Sequence, residues 1–172
     1  GLLLFIRDHQ VPFTQKGSIH RRWQQKMTSL LSLKDDHVKG VVFSLLQQEE
    51  REGLSLTIVL DMAMRLGLVH VEERSLVIRR NEIRCWLAQS LPERFEELYR
   101  LVVEHYLPHG GWWEAFAQLM RQVPLEQWCS LSEQMRMLVE TGFILPPEAP
   151  QLIRDQWLHL LAGLGWVQLG MD

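Results

Sequence analysis

The chain has 172 residues, 47% apolar and 23% charged. At about 100–200 residues per domain this suits one large domain or two small ones, and it excludes disordered, collagen-like and fibrous classes. A formal charge of −3, from 18 Lys and Arg against 21 Asp and Glu, excludes a surface that coats nucleic acid all over, so any such contact must be local.

Ile19, Trp23, Met27, Leu30 and Leu31 recur at steps of three and four and predict a helix beginning near Ser18, its N-cap after Gly17. Val38, Val41, Val42, Leu45 and Leu46 predict a second, with Asp35 or Asp36 at its start and Gly53 beyond its end. A third spans residues 55–66, burying Ile58, Val59, Met62 and Leu66, and Gly67 stops it. The period then changes. Leu68-Val69-His70-Val71 and Leu76-Val77-Ile78 flank the polar tetrad Glu72-Glu73-Arg74-Ser75, the pattern of a β-hairpin. Helical patterning returns at 82–87, at 92–106 and, after the breaker Pro108-His109-Gly110-Gly111, at 112–122, with further helices expected at about 125–141 and 149–164.

A weak internal echo sits on this pattern. Leu66-Gly67-Leu68-Val69-His70-Val71 aligns with Leu164-Gly165-Trp166-Val167-Gln168-Leu169, and Gly142-Phe143-Ile144-Leu145 is a looser third case. In each, a glycine at the helix C′ position takes the left-handed conformation and the apolar residues after it start a strand. The expected fold is mainly α: tandem winged-helix-like units with short β-hairpins, at 1–90 and 91–172, the second truncated in mid-hairpin at Asp172. The chain opens without Met, and Leu2 to Ile6 is too short for a signal peptide, so a piece of a longer cytoplasmic protein is expected, with no membrane contact: no run approaches the roughly 18 uncharged apolar residues of a spanning helix.

Enzyme signatures are absent. The sequence holds no Walker-type phosphate loop, no G-x-G-x-x-G between strand and helix, no G-x-S-x-G and no H-E-x-x-H, so no catalytic residue, cofactor or metal is assigned. Cys85 and Cys129 lie far apart and read as buried thiols in a reducing compartment. His105 and His109 stand four apart, but Pro108 breaks that helix and no third ligand lies near. Asp35-Asp36-His37 reads as a helix cap, and Glu49-Glu50, Glu72-Glu73 and Glu96-Glu97 as surface charge. Trp112 and Trp113 are adjacent indoles that cannot both face one core, so one exposed ring is expected; packing against a neighbouring subdomain is the first reading and a partner-binding or base-stacking surface the second.

The functional signal is cationic. With Trp23 turned inward, Arg21, Arg22 and Gln25 fall on the outer side of the first predicted helix, Lys26 flanks its core stripe, and Lys16 and Ser18 crowd its start. A helix start with free N–H groups, a hydroxyl and cations suits a phosphate, and Arg and Gln are side chains that read base edges. Arg74, Arg79 and Arg80 add a second cationic point on or after the hairpin, where a wing meets a DNA backbone. The helix before the hairpin, where a winged helix keeps its reading residues, offers only Asp61 and Arg65.

Several segments are similar to the N-terminal accessory region of XPB-type DNA helicases and their bacterial helicase-associated relatives. They are Pro12-Phe13-Thr14-Gln15-Lys16-Gly17 with the basic helix after it, Met64-Arg65-Leu66-Gly67-Leu68-Val69, Cys85-Trp86-Leu87-Ala88-Gln89-Ser90-Leu91-Pro92-Glu93-Arg94-Phe95, and Leu164-Gly165-Trp166-Val167-Gln168-Leu169-Gly170. The resemblance implies a winged-helix-like module that supports DNA engagement or assembly beside a helicase motor, in the same or another chain. It carries no catalytic residue here, because the motor is not in this sequence. The expectation is a non-enzymatic DNA-positioning module; the alternative is a protein-interaction scaffold without nucleic-acid contact.

Overall fold

A computed structural model describes residues 1–14, 18–41, 53–108, 110–124 and 126–170. The described residues are mainly helical. They form α1 (Leu2–His9), α2 (Arg21–Thr28), a 3-10 turn (Asp35–His37), α3 (Leu54–Arg65), β1 (Val69–Glu72), β2 (Ser75–Ile78), α4 (Arg80–Ala88), α5 (Leu91–Tyr106), α6 (Trp112–Gln122), α7 (Leu131–Glu140), α8 (Ala149–Ile153) and α9 (His159–Gly163). The last two run together through a widened π turn at Arg154–Leu158.

The hairpin forms where the tetrad placed it. Strands β1 and β2 pair antiparallel with Glu72 opposite Ser75, and the two residues between them, Glu73 and Arg74, have φ of 46° and 64°. Positive φ at both central positions is the type I′ arrangement that matches strand twist. Residues 11–13 lie along the other edge of β2, with Leu76 N–H donating to the Val11 carbonyl at 2.9 Å and Phe13 N–H to the Arg74 carbonyl at 2.7 Å.

The glycine echo holds at the level of helix capping. After α3, α7 and α9 the glycine has φ of 69° (Gly67), 97° (Gly142) and 78° (Gly165). Each makes the same bond pair, Gly67 N–H to Met64 with Leu68 N–H to Ala63, Gly142 to Val139 with Phe143 to Leu138, and Gly165 to Ala162 with Trp166 to Leu161. This is the Schellman motif, and its residues at the third position from the end, Ala63, Leu138 and Leu161, are all buried. Only the first copy continues into paired strands: among the described residues the segments after Gly142 and Gly165 form none. Trp166 instead packs on Phe95, ring centroids 5.0 Å apart, and near Tyr99.

Two hydrophobic clusters share α3. The larger takes Ile58 and Met62 from it, with Leu33, Val38 and Val41 and, from beyond residue 90, Tyr99, Val102, Phe116, Trp157 and Leu160. The smaller takes Leu56, Leu60 and Ala63 with Ile6, Val11, Met27, Val69 and Leu76. The units expected at 1–90 and 91–172 therefore meet through a common core. Gly40 and Gly163 let the C-terminal helix approach: a methyl group on Gly40 would collide with the Asp155 carbonyl, and one on Gly163 with Leu33 and His37.

Several sequence expectations need correction. The first long helix begins at Arg21, not Ser18, because Ile19 is held extended in a bridge with Phe13. It ends at Thr28, which leaves Leu30 45% exposed. Val42, Leu45, Leu46 and the pair Glu49-Glu50 lie outside the described residues, and Gly53 precedes α3 as its cap residue at φ 85°. The helix expected from 125 begins at Leu131. Cys85 and Cys129 are exposed, not buried. Helix α4 turns Ile83 and Trp86 to the smaller cluster, which leaves Cys85 on its outer side, and Cys129 lies in the loop before α7.

Candidate nucleic-acid interface

The site is built by the strip of chain between α1 and α2. Phe13 lies between two neighbours: its N–H reaches the Arg74 carbonyl, and on its other side it bridges Ile19, with Thr14 N–H donating to the Ser18 carbonyl at 2.7 Å. The turn residue Arg74 and the entry to α2 are thus two strand spacings apart, roughly 10 Å. Arg74 is exposed at the hairpin turn, and Arg21, Arg22, Gln25 and Lys26 are exposed on α2, which begins two residues after Ile19. Lys16 lies outside the described residues.

Ser18 does not serve as a helix cap. Its hydroxyl bonds the Thr14 hydroxyl at 2.9 Å, and His20 stands before α2 with no side-chain cap bond. The cations past the hairpin are not one cluster with Arg74. Arg79 and Arg80 are exposed at the opposite end of β2, at the start of α4, about 13–16 Å from the turn at some 3.3 Å per residue. Arg79 N–H donates to the Leu68 carbonyl, next to the end of α3.

Among the described residues Arg22, Lys26, Arg74, Arg79 and Arg80 have no ion-pair partner. Arg22 and Lys26 sit over the Trp23 ring, at 5.0 and 5.6 Å from its centroid. Such cation–π contacts orient the charges without neutralising them. On the other side of α2, Arg21, Gln25 and Ser29 face Lys34, Asp35 and Gly53 across a cleft of about 360 Å³.

Helix α3 is covered on both flanks. Asp61 and Arg65 are held at α5: the Tyr106 hydroxyl donates to Asp61, Arg65 Nε donates to the same carboxylate at 2.7 Å, and Arg65 Nη1 lies 3.3 Å from His105 Nε2. Burial, then the Asp61 carboxylate, push the Tyr106 hydroxyl far above the ordinary phenol range. The two residues that α3 offered for base reading are engaged within the protein.

Neither of the paired indoles is an exposed ring. Trp113 is 8% exposed in the larger cluster, and Trp112 is half-buried against the same cluster, stacked on it at 4.3 Å and 23°. Both fit because they start α6, where no preceding turn crowds them. Trp128, at 71% exposed, is the open indole, and nothing in its sequence neighbourhood marks it. His9, also unmarked in sequence, stacks on Phe5 beside Trp23; only the i, i+4 spacing of Phe5 and His9 hinted at the contact. His109 lies outside the described residues, and among those described no group of three His, Cys, Asp or Glu is arranged to hold a metal. No described helix is long and apolar enough to cross a membrane.

The chain matches no protein-family model, no curated protein and no solved structure.

Proposed function

We propose that this protein is a non-enzymatic, DNA-positioning accessory module of the kind its resemblance to the N-terminal region of XPB-type helicases implies. In this reading residues 1–90 are a winged-helix-like unit, with 11–13 as its edge strand and Arg74 at the tip of its wing. Residues 91–172 repeat the helix–glycine–extended pattern, with no paired hairpin among the described residues. The carrying observation is the bonded strip from Arg74 through Phe13 to Ile19, which links the hairpin tip to the entry of α2. Cations without acidic partners gathered along one strip suit phosphates spaced along a strand, and α3, with Asp61 and Arg65 engaged, leaves base reading aside.

The test is binding of labelled duplex and single strand across a salt series. Each phosphate contact contributes about 0.7–0.9 to the log–log salt slope, so reversing Arg22 and Arg74 to Glu should flatten the slope as well as weaken binding. Absence of binding to either probe at low salt removes this reading.

A second reading, a protein-interaction scaffold, draws support from Trp128, Leu91 and Ile144, which are 71%, 72% and 92% exposed. There, Trp128→Ala abolishes partner capture while the Arg22 and Arg74 reversals leave it intact.

A further inference from the structure

We infer that His9 is a stacking platform for an unpaired base, so that the strip beside α2 takes single-stranded DNA. The inference rests on the DNA reading and adds strand preference to it. His9 is exposed, yet its ring is fixed. One face stacks on Phe5, centroids 4.2 Å apart and planes 19° apart, and Nδ1 donates to the Phe5 carbonyl at 3.0 Å. Phe5 and Trp23 in turn pack on the smaller core cluster, so the platform stands on buried structure.

Trp23 does not cover the open face. Its centroid is 5.7 Å from Phe5 and 5.5 Å from His9, and its plane lies 67° and 64° from theirs. A ring nearly equidistant from both members of a stack, and steeply inclined to both, stands beside the stack across its edges. Among the described residues no other ring stacks on the outer face of His9, and the residue is exposed. Over Trp23 stand Arg22 and Lys26, with no ion-pair partner among the described residues. Arg7 beside His9 is already paired with Asp8 at 2.6 Å, so the charge available to a phosphate is that of α2.

An aromatic face with cations held over the ring beside it is how proteins hold single strands, because every base has a π-face and stacking tolerates any sequence. In a duplex the bases are stacked on each other and present no face to His9.

The experiment compares the whole chain with its His9→Ala and His9→Phe forms, binding three probes at low salt: a short oligo(dT), an abasic strand of equal length, and a duplex. His9→Ala should weaken oligo(dT) binding roughly ten-fold while leaving the abasic strand and duplex unchanged, and His9→Phe should retain oligo(dT) affinity. Equal losses on oligo(dT) and the abasic strand, or no loss on either, overturn the platform while leaving the DNA reading in place. Loss of oligo(dT) affinity in His9→Phe as large as in His9→Ala also overturns it. If none of the probes binds the unsubstituted chain, the DNA reading fails and the platform with it.

Discussion

The Asp35 carboxylate caps a helix to which it does not belong. It accepts from Ser55 N–H at 2.9 Å, from the Ser55 hydroxyl at 2.6 Å and from Gly53 N–H at 3.3 Å, satisfying orphan donors at the start of α3. Burial pushes this carboxyl up, but the Ser55 and Gly53 hydrogen bonds outweigh it and hold the group below the usual carboxylate range. A depressed folded pKa contributes stability that is present above the unfolded value, about 3.9, and lost as pH falls through the lower folded one. Asp35→Ala should therefore cost about 1–3 kcal/mol near neutral pH, since Ser55 is fully buried, and the gap from the unsubstituted chain should close in acid. Urea melts from neutral pH to about pH 3 check this; a gap independent of pH refutes it.

Gly40→Ala should destabilise the chain by about 1–3 kcal/mol or more, because the added methyl meets the Asp155 backbone carbonyl, which has no rotamer with which to retreat. The same substitution at Gly53, which has open space but φ of 85°, costs about 1 kcal/mol from backbone strain alone. Thermal melts of the two variants should rank in that order.

At the hairpin tip, stability and binding should separate. Glu73 and Arg74 occupy left-handed positions that Asn and Gly fill at less cost, so Arg74→Gly should stabilise the fold by about 1 kcal/mol. The same change should weaken DNA binding by removing a phosphate contact. A variant that melts higher and binds equally well would show the tip cation idle.

The chain has two tyrosines, Tyr99 and Tyr106, both buried. Burial pushes the Tyr99 hydroxyl up to about 12, and it donates to the Ala117 carbonyl at 3.0 Å. Since the folded value lies above the unfolded one, near 10, the associated stability is complete below about pH 10 and drains away as pH rises toward 12. An alkaline titration followed by ultraviolet absorbance should show no tyrosinate until the fold opens; a normal phenol titration centred near 10 contradicts the packing of α5 on α6.

Local chemistry read well from the chain. The hairpin follows from β-branched runs around a polar tetrad, and the three glycine caps follow from a residue that tolerates positive φ at the end of an amphipathic stretch. Helix α5 starts at Leu91, one residue before the expected 92, with Ser90 and Glu93 bonding each other's backbone N–H groups. Where pairing and packing beyond the helix intervened, reading failed: Ser18 looked like a cap until Ile19 paired with Phe13, and one of the two indoles Trp112 and Trp113 was expected exposed until α6 turned both to the larger cluster.

Periodicity and turn residues act within a few positions along the chain, so helices, hairpin and caps were written into the order of amino acids. The site was not. Joining the hairpin turn at Arg74 to Phe13, spending Asp61 and Arg65 on α5, and setting His9 beside Trp23 depend on contacts between residues 14 to more than 50 positions apart. Such contacts form only when burial of two shared clusters offsets the loss of chain entropy, and no local pattern reports which pairs that burial will join.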